Sequence, residues 1–174
     1  MTETTYTLNS KLTRGFTIIE LIVVISVVSV LSALGIAGYS KYNDAQIVQS
    51  GAQDVATTLN LAKSRALYQV KPSNSGNCLF PNNPIDRYIV EVDLTGSANT
   101  YKLLIQCGGG AANDVFQKTL PKNVTFNSAG TTLTSYSFPV LTGGVAASGQ
   151  IKIELAGGTS KTITVDSVGN IKIQ

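Results

Sequence analysis

The 174-residue sequence contains no histidine and no tryptophan, and its only cysteines are Cys78 and Cys107. Histidine is the commonest metal ligand and the commonest general base, so its absence removes most metal-assisted and hydrolytic chemistry. The two cysteines are far from the two-to-four-residue spacing of a zinc site, and Gly108–Gly110 lacks the Lys-Ser/Thr ending of a phosphate-binding loop. We therefore expect a protein that is not an enzyme and that holds no metal and no cofactor.

Charge is also scarce. Asp, Glu, Lys and Arg make up 13% of the residues, where about 25% is usual for a globular domain. The net charge of +3 is small and forms no run, so phosphate contacts would release few counterions and would support nucleic-acid binding only weakly. A surface with so few charges suits an exported protein, and charge alone identifies no partner.

The sequence does contain a long apolar segment, from Phe16 to about Tyr39, in which Glu20 is the only charged residue. About 20 apolar residues are enough for a helix to cross a bilayer. An ionised glutamate at membrane depth costs roughly 2.5–3.5 kcal/mol, so we expect Glu20 to have a partner or a function. Lys11 and Arg14 precede the segment and orient the N-terminus toward the cytoplasm.

The sequence Gly15-Phe16-Thr17-Ile18-Ile19-Glu20-Leu21 resembles the processing site of type IV prepilins and type II secretion pseudopilins. The resemblance implies that a prepilin peptidase cuts between Gly15 and Phe16 and methylates the new amino group of Phe16. It also implies that Glu20 neutralises the amine of a neighbouring subunit and sets the stagger between subunits. The implied partners are the peptidase, other pilin or pseudopilin subunits and an inner-membrane assembly platform.

Two simpler interpretations compete with this one. In a secretory signal peptide, the small residues near Ala33, Gly35 and Ala37 would form the cleavage site, but Glu20 lies inside the apolar core where such peptides carry no charge. A plain signal anchor explains the hydrophobicity but not the Gly-Phe-x-x-x-Glu spacing. The prepilin interpretation accounts for both features.

Downstream, apolar residues recur at alternating spacings of four and three, which predicts one face of a helix that Pro72 ends at about Lys71. The stripe consists of Val48, Ala52, Val55, Leu59, Ala62 and Ala66.

The predicted organisation is a cleaved leader (1–15), a transmembrane and assembly helix (16–39), an amphipathic helix (40–71) and an antiparallel β head (72–174). This is an α+β pilin-like fold in which the long helix packs on an antiparallel sheet.

Eight short runs with β-rich or alternating residues predict the strands of the head. They are Tyr88–Leu94, Tyr101–Cys107, Val115–Leu120, Val124–Asn127, Tyr136–Val140, Gln150–Leu155, Lys161–Val165 and Asn170–Ile173. The first two form a hairpin whose turn contains Thr95-Gly96-Ser97. In the late strands isoleucines alternate with charged residues, as expected for half-buried antiparallel strands.

Three segments of the mature chain resemble the H-type pseudopilins and the minor pilins of DNA uptake. They are Leu59–Ala66, Leu120–Gly130 and Thr162–Ile173. The resemblance implies a structural subunit, a minor pilin or pseudopilin, held in the inner membrane with its head outside the cytoplasm and assembled into a pilus or pseudopilus.

The alternative function is a filament-tip module that binds DNA or an exported substrate, and its candidate residues are Lys152, Lys161 and Lys172. Clustering of these lysines on one exposed face would favour that function, and dispersal would favour pure assembly. The DNA-uptake proteins carry basic residues directly after the glycine of the final turn, whereas here Asn170 and Ile171 follow Gly169. This difference weakens the transfer of DNA binding.

The exported head permits a disulfide between Cys78 and Cys107, because the compartment is oxidising. Closing a loop of about 30 residues would contribute roughly 3–4 kcal/mol on the chain-entropy account, if the Cα atoms come within about 7 Å. The alternative is two separate buried thiols that pack as small hydrophobic groups. The sequence leaves both arrangements open.

Overall fold

The computed structural model of the chain describes residues 15–73, 78, 82–95, 99–156 and 158–174, with the side chains of 34–38 also left outside the description. Residues 1–14 of the predicted leader therefore lie outside the described residues. The predicted turn residue Gly96 lies outside them as well. The chain divides into two compact units, one ending at Ser40 and one running from Lys41 to Gln174. We refer to the second unit as the head.

A single helix, α1, spans Ile18–Tyr68. It ends about three residues before the predicted limit, because Gln69 adopts a left-handed backbone with φ 49°. The N–H of Val70 then donates to the carbonyl of Arg65 at 3.1 Å. This is the hydrogen bond of a Schellman cap, which satisfies a carbonyl that the end of a helix leaves unpaired. Local capping, and not Pro72, ends the helix.

The predicted stripe of α1 is the part of the helix that enters the core. Its six residues, Val48, Ala52, Val55, Leu59, Ala62 and Ala66, are each no more than 1% exposed. They pack in one cluster with residues of the strands, including Tyr88, Leu103, Phe138 and Ile163. Alanine at three of the six stripe positions buries little area itself, but it lets the helix approach the strands closely.

Eight strands follow: β1 Ile85–Val92, β2 Thr100–Cys107, β3 Asn113–Thr119, β4 Val124–Phe126, β5 Ser135–Pro139, β6 Gly149–Leu155, β7 Ser160–Val165 and β8 Ile171–Ile173. Each predicted run overlaps one of these strands, with ends displaced by up to three residues. The paired strands are antiparallel throughout. The α+β class is thereby confirmed.

The head contains two four-stranded sheets where the sequence analysis predicted one. Their strand orders are β3-β2-β1-β5 and β4-β6-β7-β8. The first sheet is completed by a distant strand, since β1 pairs with β5 from Arg87 opposite Pro139 to Glu91 opposite Ser135. The inner residues of both sheets belong to the same hydrophobic cluster. Hydrophobic alternation identifies strands but not which sheet each one joins, and this is why the division was missed.

Within the part of the chain that the structure describes, no helix is long and apolar enough to cross a membrane.

Candidate functional site

The junction between Gly15 and Phe16 is accessible in the structure. The Phe16 side chain is 86% exposed, and no atom lies within 4 Å of the position that a Cβ would take at Gly15. α1 begins two residues later, at Ile18. The predicted cleavage point is therefore an open, non-helical peptide bond directly before the helix, as a peptidase requires of its substrate.

Thr17 and Glu20 form a capping box at the start of α1. The N–H of Thr17 donates to Glu20 Oε2 at 3.4 Å, and the N–H of Glu20 donates to Thr17 Oγ1 at 3.3 Å. These reciprocal bonds satisfy two of the four backbone donors that a helix start leaves free. Both distances are long for N–H···O bonds, so the carboxylate is held only loosely. This cap was not predicted, although the Thr-x-x-Glu spacing is its sequence signature.

The side chains of α1 between Ile18 and Leu31 leave a long apolar surface outside the fold. The large aliphatic residues in this range are 53–80% exposed. They occupy all sides of the helix, without the polar face that a surface helix of a globular protein carries. This part of the helix is suited to burial against other apolar surfaces.

A disulfide joins Cys78 to Cys107. The Cα atoms are 5.4 Å apart, within the range that a disulfide requires, and both residues are buried. The bridge links Cys78, which lies between α1 and β1, to Cys107, the last residue of β2. The alternative of two separate thiols is not the arrangement in this structure.

The three candidate lysines do not lie on one face. Lys152 and Lys172 lie on the outer face of the second sheet, because their neighbours along each strand point toward the core. Lys161 lies opposite Ile153 in the pairing of β6 with β7, and Ile153 is fully buried. Lys161 is therefore on the inner face of β7. The stem of Lys152 also packs directly over Gly130, which restricts its reach. The three lysines therefore do not form the cluster on one exposed face that would favour DNA binding.

A polar cluster that the sequence analysis missed joins α1 to the first sheet. The hydroxyl of Tyr101 donates to Asp54 Oδ2, and Lys118 Nζ donates to Asp54 Oδ1 at 2.7 Å. Burial alone would raise the pKa of Asp54, but the bonds from Lys118 and Tyr101 outweigh it and hold the pKa below its usual value. Burial, with the nearby Asp54 carboxylate, raises the pKa of Tyr101. No sequence signal links these residues, because they lie on three separate elements.

Comparisons with known proteins agree with the N-terminal motif. The family profile described as "Prokaryotic N-terminal methylation motif" matches residues 10–36. A comparison with curated protein sequences finds no significant match.

Two solved structures share the fold. The minor pseudopilin EpsH from the type 2 secretion system of Vibrio cholerae aligns with a TM-score of 0.53 and 14% identity, over 73% of this chain and 95% of that one. The type IV minor pilin FimU of Pseudomonas aeruginosa aligns with a TM-score of 0.53 and 14% identity, over 78% of this chain and 92% of that one. At this identity the likeness establishes the fold alone.

The chain thus carries a prokaryotic N-terminal methylation motif on a pilin-like fold.

Proposed function

We propose that the chain is a minor structural subunit of a type IV pilus or a type II secretion pseudopilus. The observation that carries the proposal is the start of α1, where an accessible Gly15-Phe16 junction precedes a helix whose apolar side chains are exposed on all sides. In the proposed pathway, prepilin peptidase cleaves this junction and methylates Phe16. Residues 16–39 then hold the subunit in the inner membrane, with the head outside the cytoplasm, until an assembly platform extracts it.

Glu20 has two successive roles in this proposal. Before assembly its carboxylate accepts the loose bonds from Thr17, which partly offset the cost of placing a charge at membrane depth. After cleavage, the new amine of Phe16 in a neighbouring subunit is a stronger partner, because the pair meets in a medium of low dielectric constant. An exchange of the weak internal contact for the ion pair would favour the assembled state and fix the stagger.

The filament contact itself is proposed to be helix against helix. Exposed aliphatic side chains between Ile18 and Leu31 would pack on the same segment of neighbouring subunits. Such head-to-tail contacts are heterologous, and they extend into a filament when the rotation between subunits does not close a ring. The proposal requires no catalytic group.

The decisive experiment compares Glu20→Gln and Glu20→Ala with the wild type in cells that assemble the filament. Intact-mass measurement should find all three chains starting at methylated Phe16. Only the wild type should be recovered in sheared filaments, because an uncompensated amine buried in the assembly costs about 3–5 kcal/mol. Membrane fractions should contain all three chains in similar amounts.

An Asp44→Asn variant is the matched control, because it removes a carboxylate elsewhere on α1 and should assemble normally. Wild-type incorporation of both Glu20 variants would show that the carboxylate does not set the stagger. A stable mature chain starting near Tyr39 would instead support an ordinary signal peptide.

A further inference from the structure

The head concentrates its exposed apolar side chains in one region. Among the described residues after Ser40, six large hydrophobic side chains are exposed, and the only one outside this region is Tyr42. The other five lie at the end of α1 and in two loops. We call these five the helix-end patch; they are Leu67, Tyr68, Val70, Leu141 and Val168.

The three segments that carry the patch are in direct contact. The N–H of Leu141 donates to the carbonyl of Ala66 at 3.2 Å, which fixes the first loop to the helix end. A Cβ at Gly143 would lie 3.1 Å from Leu67, and a Cβ at Gly169 would lie 2.8 Å from the carbonyl of Gly143. Gly169 has φ 78°, so glycine is needed there both for the turn and for the close approach. The patch residues therefore lie on three segments that adjoin one another.

Leu141 is held in an unfavourable conformation at this surface. Its φ is 65°, a left-handed value that bulky residues rarely adopt, and its side chain is 69% exposed. An asparagine or glycine would fit this backbone better, and a polar residue would suit the exposure better. Strained residues with exposed apolar side chains are typical of binding surfaces. Folding alone gives no reason for a leucine here.

The charges around the patch identify the kind of partner. Lys63 donates to the carbonyl of Gly169 at 2.8 Å, and Lys71 directly follows Val70. In the described part of the chain the two ion pairs are Lys102–Asp114 and Lys118–Asp54, so neither rim lysine is neutralised by a carboxylate. Asp166, in the second loop, accepts three hydrogen bonds within its turn and adds one negative charge beside Val168. The patch thus has an apolar centre and a rim that is cationic beside the helix end, with one carboxylate in the second loop.

We propose that the helix-end patch is the docking surface for a different protein, whose surface is apolar at the centre and acidic at the rim. A second copy fits poorly, because self-pairing of the patch would bring the same lysines together and the chain as a whole carries +3. Nucleic acid fits poorly as well, because a phosphate backbone offers no surface for Leu141 and Val168 to contact. This inference goes beyond filament assembly and does not depend on Glu20.

The test uses the full chain in its own cells, with Val168→p-benzoylphenylalanine as the photo-crosslinking probe and Ser128→p-benzoylphenylalanine as an exposed control outside the patch. We expect Val168 to crosslink a different protein, at a peptide containing aspartate or glutamate, with yield well above that of Ser128. Adding Leu141→Asn should lower this yield about tenfold, the loss expected when one leucine contact is removed. Lys71→Glu should lower it by about fivefold or less, as rim charges do.

Reversing the crosslinked carboxylate of the partner to lysine should restore the yield of the Lys71→Glu chain. Leu141→Asn should melt at or above the wild-type temperature, because asparagine tolerates the left-handed backbone. Crosslinking to a second copy or to nucleic acid, a yield equal to that of Ser128, or no effect of Leu141→Asn would each overturn the proposal.

Discussion

The two halves of α1 have the same secondary structure and opposite environments. From Ile18 to Leu31 the large apolar side chains are 53–80% exposed, whereas the stripe from Val48 to Ala66 is no more than 1% exposed. The first half is apolar on all sides, which is the pattern of a helix that is buried by surroundings other than its own domain. The second half has one apolar face, which is the pattern of a helix that packs on its own domain. Burial, not helix formation, distinguishes the half that builds the head from the half that stays exposed.

The largest expected effect comes from placing a charge in the buried half. Leu59→Asp should unfold the head, because Leu59 is fully buried and an unpaired carboxylate there costs several kcal/mol, comparable with the whole stability of a small domain. Thermal melting of the purified full chain in detergent measures this.

Two control variants sharpen the comparison. Gln53→Asp, on the exposed side of the same half, and Leu31→Asp, in the exposed half, should leave the melting of the head within about 0.5 kcal/mol of the wild type. Cooperative melting of Leu59→Asp at the wild-type temperature would overturn the assignment of the stripe to the core.

Removal of the disulfide is expected to have the next largest effect. The double variant Cys78→Ser, Cys107→Ser should lose about 3–4 kcal/mol of unfolding free energy, because it frees a loop of about 30 residues in the unfolded chain. Denaturant titration of the wild type and the double variant gives the difference. In unreduced wild-type protein both thiols should resist alkylation, and rapid labelling of both would contradict the bridge.

The local features of the fold were predictable from the sequence. The stripe could be identified because four-and-three spacing places residues on one helical face, and Ile151 and Ile153 could be assigned inward because strands alternate. The methylation motif was evident because the spacing from Gly15 to Glu20 is specific. The Thr17–Glu20 cap was equally local, and its spacing alone was sufficient to predict it.

Features that depend on long-range pairing were not predictable. The inward position of Lys161 follows from its register with Ile153, and a shift of one residue would have reversed it. The contact of Asp54 with Tyr101 and Lys118 requires α1, β2 and β3 to meet, and the pairing of β1 with β5 joins strands that are distant in sequence. Composition and periodicity contain no information about such pairings.

The polar cluster of Asp54 provides a smaller, pH-dependent test of the buried half. The pKa of Asp54 is lowered in the folded state, so its contribution is present above the unfolded value of 3.8 and is lost as the pH falls through the lower, folded value. Because the Asp54 and Lys118 side chains are 43% and 44% exposed, screening limits this contribution to about 1 kcal/mol.

Asp93 and Asp166 also have lowered pKa values, because their turns donate hydrogen bonds to them, and the whole head should therefore weaken in acid. The difference between the wild type and Asp54→Asn isolates the cluster. It should be largest near neutral pH and should shrink below pH 3.8. A difference that stays constant between pH 7 and pH 3 would show that the charge of Asp54 contributes nothing.

The smallest expected effect comes from the start of the exposed half and separates the two roles of Glu20. Thr17→Val removes the hydroxyl that accepts a hydrogen bond from the Glu20 N–H, but it leaves the carboxylate in place. Loss of a cap of this kind costs typically about 1 kcal/mol, and the long distances here place it toward the lower end of that range. Incorporation into sheared filaments should therefore fall only slightly, and Thr17→Ser, which keeps the cap, should match the wild type.

If Glu20 acted mainly as a capping residue, Thr17→Val would reduce incorporation as severely as Glu20→Gln. The ratio of the two losses, measured in one strain background, thus tells whether the carboxylate serves its own helix or the amine of a neighbouring subunit.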